Sequence, residues 1–119
     1  MIDALRGKLT REASDRRLAW WSESVVRDAK VNLIVEGHEK MTSGETFVVM
    51  SNHQSHFDVP LLFKAVSPSM RMVAKTELFR VPIWGAAMHQ SGFIEVDRAN
   101  HARAIASLKL AAEKIRSGI

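Results

Sequence analysis

The chain has 119 residues, 46% hydrophobic and 25% charged, with no cysteine, so one domain is expected and a disulfide framework, a zinc–thiolate site and a cysteine nucleophile are excluded. A net charge of +4 and a pI near 9.9 suit an anionic partner: nucleic acid, an anionic membrane surface or a phosphorylated substrate. No run of about 18 apolar residues is present to form a transmembrane helix, and the opening MIDALRGKLTREASDRR lacks the apolar core of a secretory signal.

Residues 1–29 read as an amphipathic helix and as a segment of their own. Leu18, Trp21 and Val25 share one face, and Ile2, Leu5 and Leu9 form a second short stripe. Arg6, Lys8, Arg11, Arg16 and Arg17 flank these stripes and precede the pair Trp20–Trp21. Such a helix either lies at a membrane interface or packs its tryptophans on the domain. The remainder, 30–119, reads as one unit. KVNLIVEG alternates apolar and polar residues and predicts a strand ending at Gly37; GHEKMTSGE is a polar connection. TFVVMS, apolar and rich in β-branched residues, predicts a strand covered on both faces.

A helix is expected over FDVPLLFKAV, starting between Ser55 and Asp58, with Pro60 favouring the later start because proline is tolerated only in a first turn. MRMVAK is the third expected strand. A mixed region containing Pro82 leads to a helix ending at Gln90, and GFIEV is the fourth strand. Ala99 to Ser117 is an amphipathic helix with Ile105, Leu108, Ala112 and Ile115 on one stripe, and Gly118 is its expected C-cap. Strands alternating with helices predict an α/β fold with a partly parallel, mixed sheet flanked by helices.

The stretch NHQSHFDVP, residues 52–60, sits between the second strand and its helix. His53 and His56 could share a helical face as metal ligands, but Asp58 points elsewhere, and no metal is expected. No G-x-S-x-G elbow accompanies Ser51 or Ser55 to make a serine hydrolase. His53 and Asp58 are five apart, about 7.5 Å and about 140° on a continuous helix, so they meet only if the chain folds back at a turn. Asp58 would then hold the imidazole and leave its far nitrogen as a base. Equally, Asp58 would merely cap the helix, with Asn52 and His53 as turn residues.

NHQSHFD resembles the N-H-x4-D motif of the glycerolipid acyltransferase family, which includes the 1-acyl-glycerol-3-phosphate (lysophosphatidate) acyltransferases. IVEGHEK, VAKTEL, VPIWG and SGFIEVDR resemble the family's neighbouring segments in order, over about residues 31–117. The resemblance implies a glycerol-3-phosphate acyltransferase-like fold and transfer of a fatty acyl group to a lysophospholipid hydroxyl. Acyl-CoA or acyl carrier protein would be the co-substrate, and no cofactor is implied. By this likeness His53 is the base and Asp58 its orienter, with Asn52 and Gly92 supporting the motifs and Gly92 making a tight turn. Arg98, joined by Lys75, would meet the acceptor phosphate through a planar fork suited to its oxygens. His56 has no assigned role, and Glu95 stands where relatives often carry an apolar residue.

The resemblance also implies a peripheral protein on the cytoplasmic face of a membrane. The family's third motif, a proline–glutamate–glycine segment, and its fourth do not occur, so the chain reads as the N-terminal part of a catalytic domain, truncated at its C-terminus. Part of the 99–117 helix face is expected to stand exposed. The alternative is a non-catalytic membrane-associated or interaction protein that keeps part of the fold. Nucleic acid is not an expected partner, since the basic residues lack aromatic interleaving on a strand and a recognisable helix pair.

Overall fold

The computed structural model describes residues 10–41, 44–67 and 69–117. The expected stripe at Ile2, Leu5 and Leu9, the basic pair Arg6 and Lys8, and the expected cap at Gly118 lie outside the described residues. In order come α1 (Arg11–Asp28), a 3-10 turn (His38–Lys40), α2 (Asp58–Ala65), β1 (Val73–Lys75), α3 (Thr76–Phe79), α4 (Trp84–Gln90), β2 (Ile94–Val96) and α5 (His101–Arg116). They sort into two compact units: Glu12–Met70, and the chain from Arg71 onward, to which Arg11 also belongs.

In the first unit α1 runs without glycine or proline, with Glu12 in its first turn and Arg27 in its last, each sign matched to the helix dipole. Its fully buried positions are Ser14, Ser22 and Val26, one step round from the expected stripe of Leu18, Trp21 and Val25, which is half-buried. Small serines let neighbouring chain approach closely, so they take the inner line. The two tryptophans part company. Trp21 meets Phe63 of α2 edge-on, with ring centroids 6.5 Å apart at 74°, whereas Trp20 is 72% exposed. Lys64 pairs with Glu23, and Ser69 donates to Asp15 over 2.6 Å, so α2 and the turn after it are tied to α1. The α1 helix closes with Lys30 N donating to Arg27 O and Val31 N to Val26 O. This is a Schellman ending that puts Lys30 at φ 54.

The first two expected strands do not form. Residues 31–35 and 46–51 carry no ladder among the described residues, and Ile34, Val48 and Met50 are 75%, 69% and 90% exposed. Apolar alternation favours a pleated, half-buried surface, but a strand exists only when a neighbour receives its backbone hydrogen bonds. Within the described residues none does so.

In the second unit β1 and β2 pair in parallel, with Val73 opposite Ile94, Ala74 opposite Glu95 and Lys75 opposite Val96. Parallel neighbours need a crossover, and α3 and α4 supply it. The core is Phe79, Met88 and Ile94. The α5 helix is started by Asn100, whose side chain accepts from Arg103 N, and it packs on β2. Its inner positions include Ala104, Ser107 and Ala111. Of the expected stripe, Ala112 and Ile115 are half-buried, while Ile105 and Leu108 are 42% and 56% exposed. That partial exposure matches the sequence expectation.

Two backbone features fix the crossover. Trp84 N donates to Pro82 O over 2.7 Å with Ile83 at φ 66, ψ −50, a γ-turn of the rarer, strained hand. Gly85 then brings α4 against the end of α3: a Cβ there would run into the Phe79 carbonyl oxygen and stand 2.5 Å from its carbon. The obstacle is backbone and cannot rotate aside. Gly85→Ala is therefore expected to destabilise the second unit by about 3 kcal/mol or more, at the top of the usual overpacking range, read as a lowered urea midpoint; an unchanged midpoint would refute the contact.

Candidate active site

The segment between residue 50 and α2 is an exposed loop that turns at residues 55–57 before entering the helix at Asp58. Proline at position 60 falls in that first turn, where its missing N–H is not needed. The fold-back brings His53 and Asp58 together: His53 Nδ1 lies 3.0 Å from Asp58 Oδ2. The same oxygen accepts from Gln54 N and Ser55 N, each at 2.9 Å. Asp58 N in turn donates to Ser55 O over 3.0 Å, and Phe57 N to Ser55 Oγ over 3.1 Å.

These bonds decide between the two readings of Asp58. A capping carboxylate would accept from amides of the helix's own first turn. Here the carboxylate reaches backward to loop amides and to the imidazole, and no side chain caps α2. The loop is thus folded around the carboxylate, with His53 held at its edge. The Ser55 and Gln54 amides, then the His53 side chain, hold the Asp58 carboxyl below the ordinary aspartate value of 3.8. An ionised carboxylate only accepts, so the His53 nitrogen facing it, Nδ1, carries the hydrogen. In the neutral ring Nε2 is then the basic nitrogen. The His53 and Asp58 side chains are 46% and 33% exposed, open enough for a substrate hydroxyl to approach.

Lys75 and Arg98 belong to the other unit. Lys75 ends β1, and Arg98 follows β2 in the turn before α5. Because the strands are parallel and Lys75 pairs with Val96, both cations stand at the same end of the ladder, and both are exposed. Arg98 is not spent on its neighbour: Asp97 Oδ1 accepts from Ala99 N over 3.0 Å and Asp97 Oδ2 lies 3.6 Å from Arg103. Asn52 lies in the exposed loop ahead of His53. Gly92 sits at φ +81, with its N–H on His89 O and that of Phe93 on Met88 O, the glycine ending of α4. His56 donates no side-chain bond to the pair; its carbonyl accepts from Val59 N at 3.4 Å.

Sequence reasoning passed over His89. Its ring tilts on Phe79 with centroids 4.6 Å apart, and its Nε2 lies 3.7 Å from the Glu95 carboxylate, which gives the polar residue on β2 a neighbour. Both line a cavity of about 420 Å³ with Thr76, Phe93, Asp97 and Leu110. Only the ring's position across the strand reveals this; its spacing in the chain holds no signal. Among the described residues no group of histidines and carboxylates is arranged to hold a metal ion, and no helix is long and apolar enough to cross a membrane.

A carboxylate with a depressed folded value contributes stability that is complete above its unfolded value and is lost as pH falls through the folded one. The 53–58 loop is therefore expected to hold its shape above pH 3.8 and to loosen only below it. Carboxyl carbon titration by NMR should place the Asp58 midpoint below 3.8, with the Gln54 and Ser55 amide shifts following the same curve. A midpoint at or above that value would contradict the three-donor arrangement.

Residues 32–119 match the family model described as acyltransferase. The chain is 33% identical over 100 residues to a chloroplast 1-acyl-sn-glycerol-3-phosphate acyltransferase of Arabidopsis thaliana, covering 83% of this chain and 27% of the relative. It is 30% identical over 100 residues to the chloroplast counterpart of Brassica napus, covering 83% and 28%. An uncharacterised acyltransferase of Schizosaccharomyces pombe is 30% identical over 82 residues, covering 69% and 29%. The chain thus spans little more than a quarter of the length of these relatives, and no solved structure matches it. The family model covers both the His53–Asp58 loop and the β1–β2 crossover, and on that match the chain belongs to the glycerolipid acyltransferase family.

Proposed function

We propose that this chain carries the acid–base part of an O-acyltransferase that moves a fatty acyl group from a thioester donor, acyl-CoA or acyl carrier protein, to the free hydroxyl of 1-acyl-glycerol-3-phosphate, giving phosphatidic acid in phospholipid biosynthesis. The observation that carries this reading is the bond between His53 Nδ1 and Asp58 Oδ2, on a carboxylate already fixed by two backbone amides. It supports a defined tautomer with Nε2 as the general base. The names of the two plant relatives supply the acceptor and the reaction.

In the proposed step Nε2 takes the acceptor hydroxyl proton as the oxygen attacks the thioester carbonyl. The tetrahedral intermediate then collapses, the carbon–sulfur bond breaks, and the imidazolium returns the proton to the departing thiolate. Asp58 stabilises the transient imidazolium without itself taking a proton. No protein nucleophile is required, which suits a chain without cysteine. Arg98 and Lys75 would bind the acceptor phosphate, Arg98 through its fork and Lys75 as a point charge. Association with the cytoplasmic face of a membrane is part of the same reading, and the outward Trp20 beside exposed Arg16 on α1 supports it.

In the full-length enzyme, His53→Ala is expected to lower kcat by about 10²–10⁴-fold, the usual share of a general base, with folding retained by circular dichroism. Asp58→Asn should fall in the same range, because the amide no longer enforces the tautomer. A His53→Ala enzyme that keeps its rate would end the mechanism. Arg98→Gln is expected to raise KM for lysophosphatidate about tenfold with little change in kcat, the mark of lost uniform binding; a fall in kcat at constant KM would remove Arg98 from the phosphate.

A further inference from the structure

The turn between α3 and α4 carries features that its place in the crossover leaves unexplained. Val81, Pro82 and Ile83 are all exposed, Val81 to 47% and Ile83 to 55%. Ile83 sits at φ 66, a conformation that glycine or asparagine adopts at far smaller cost than a β-branched residue. The close approach of Gly85 to Phe79 sets where α4 begins. It calls for no isoleucine at an exposed and strained position.

The turn also satisfies most of its own backbone. Arg80 N donates to Glu77 O, Val81 N to Leu78 O, Trp84 N to Pro82 O and Gly85 N to Val81 O, while Pro82 has no N–H to satisfy. Within 80–85, among the described residues, the Ile83 N–H is the one amide left without an acceptor. At an ordinary surface turn water satisfies such groups, whereas an apolar layer does not. The strained bond from Trp84 N to Pro82 O therefore matters most where water is scarce. The charge beside the turn is positive. Arg80 is exposed and, among the described residues, makes no ion pair, with Glu77 one turn earlier included. No carboxylate lies within 80–85.

We propose that the turn from Arg80 to Ile83 is a lipid-contacting surface, with Val81 and Ile83 entering the interfacial layer of an anionic membrane and Arg80 meeting its phosphate groups. Exposed aliphatic side chains with a cation beside them are what such an interface takes. A partner strand would need free backbone donors and acceptors, and this turn keeps nearly all of its donors for itself. The inference rests on the membrane part of the proposed function and not on acyl transfer. It assigns the contact to residues other than Trp20.

The test uses the 119-residue chain and vesicles of phosphatidylcholine with phosphatidylglycerol, read by co-sedimentation. Ile83→Asn is expected to weaken binding about tenfold, the loss for an aliphatic side chain withheld from an apolar layer. Its urea midpoint should stay level or rise, because asparagine tolerates a positive φ. Ile83→Leu should retain binding, and Arg80→Gln should lose about fivefold on the anionic vesicles and nothing on phosphatidylcholine alone. Since the chain has no cysteine, Ile83→Cys carrying an environment-sensitive fluorophore reports on this turn alone. Its emission should shift to the blue on vesicle addition and be quenched by spin-labelled lipid. If the unmutated chain does not bind, the membrane reading falls and this inference with it. Binding that persists in Ile83→Asn, or a label at 83 that vesicles leave unmoved, overturns the turn while that reading stands. A blue shift that appears without vesicles and grows with protein concentration marks a second copy as the occupant, and overturns it too.

Discussion

One carboxylate oxygen organises the loop from His53 to Asp58. Asp58 Oδ2 receives the Gln54 and Ser55 amides and the His53 ring, so the path of the chain and the tautomer of the imidazole are set by the same atom. The charge that this oxygen carries is stabilised by the donors it orders, and the order persists because the charge does. Were the carboxylate neutral, the loop amides would lose an ionic acceptor and Nδ1 would lose the reason to hold its hydrogen. The imidazole is therefore oriented by the fold alone, at a half-exposed site.

The second unit depends on a different constraint, the close approach of backbone at Gly85. A parallel pair as short as β1 and β2 has little pairing of its own, and the crossover must be held tightly for the strands to stay in register. Gly85 permits α4 to start against the Phe79 carbonyl, and Phe79, Met88 and Ile94 then close the core. The register that follows places Lys75 and Arg98 at one end of the ladder and Arg71 with Gly92 at the other. Two cationic groups result, separated by the strands.

The His53–Asp58 contact was legible in the sequence because every group that builds it lies within six consecutive residues, and a turn followed by a proline-bearing first helical turn has few ways to fold. The same holds for α2, whose start is marked by Asp58 with Pro60; α5 was legible as a helix, but its start, capped by Asn100, falls two residues after the expected Ala99. The inward line of α1 was legible only to within one position. Periodicity counted the bulky Leu18, Trp21 and Val25, while close packing chose the small Ser14 and Ser22. The strands expected at 31–35 and 46–51 failed for a stronger reason, since β-propensity describes a surface ready to pair and not the presence of a neighbour.

By itself, then, the sequence determined what short-range chemistry determines: the turn that joins a histidine to its aspartate, the presence of the helices and the family. Tertiary structure decided what needs partners remote in the chain. It chose which strands pair, set the outward turn of Trp20 against the packing of half-buried Trp21 on Phe63, placed His89 beside Glu95, and drew Arg71 and Lys114 to one glycine. Hydrogen bonds across a few residues are dictated by local dihedral preferences. Contacts across tens of residues exist only once packing has settled where each element lies.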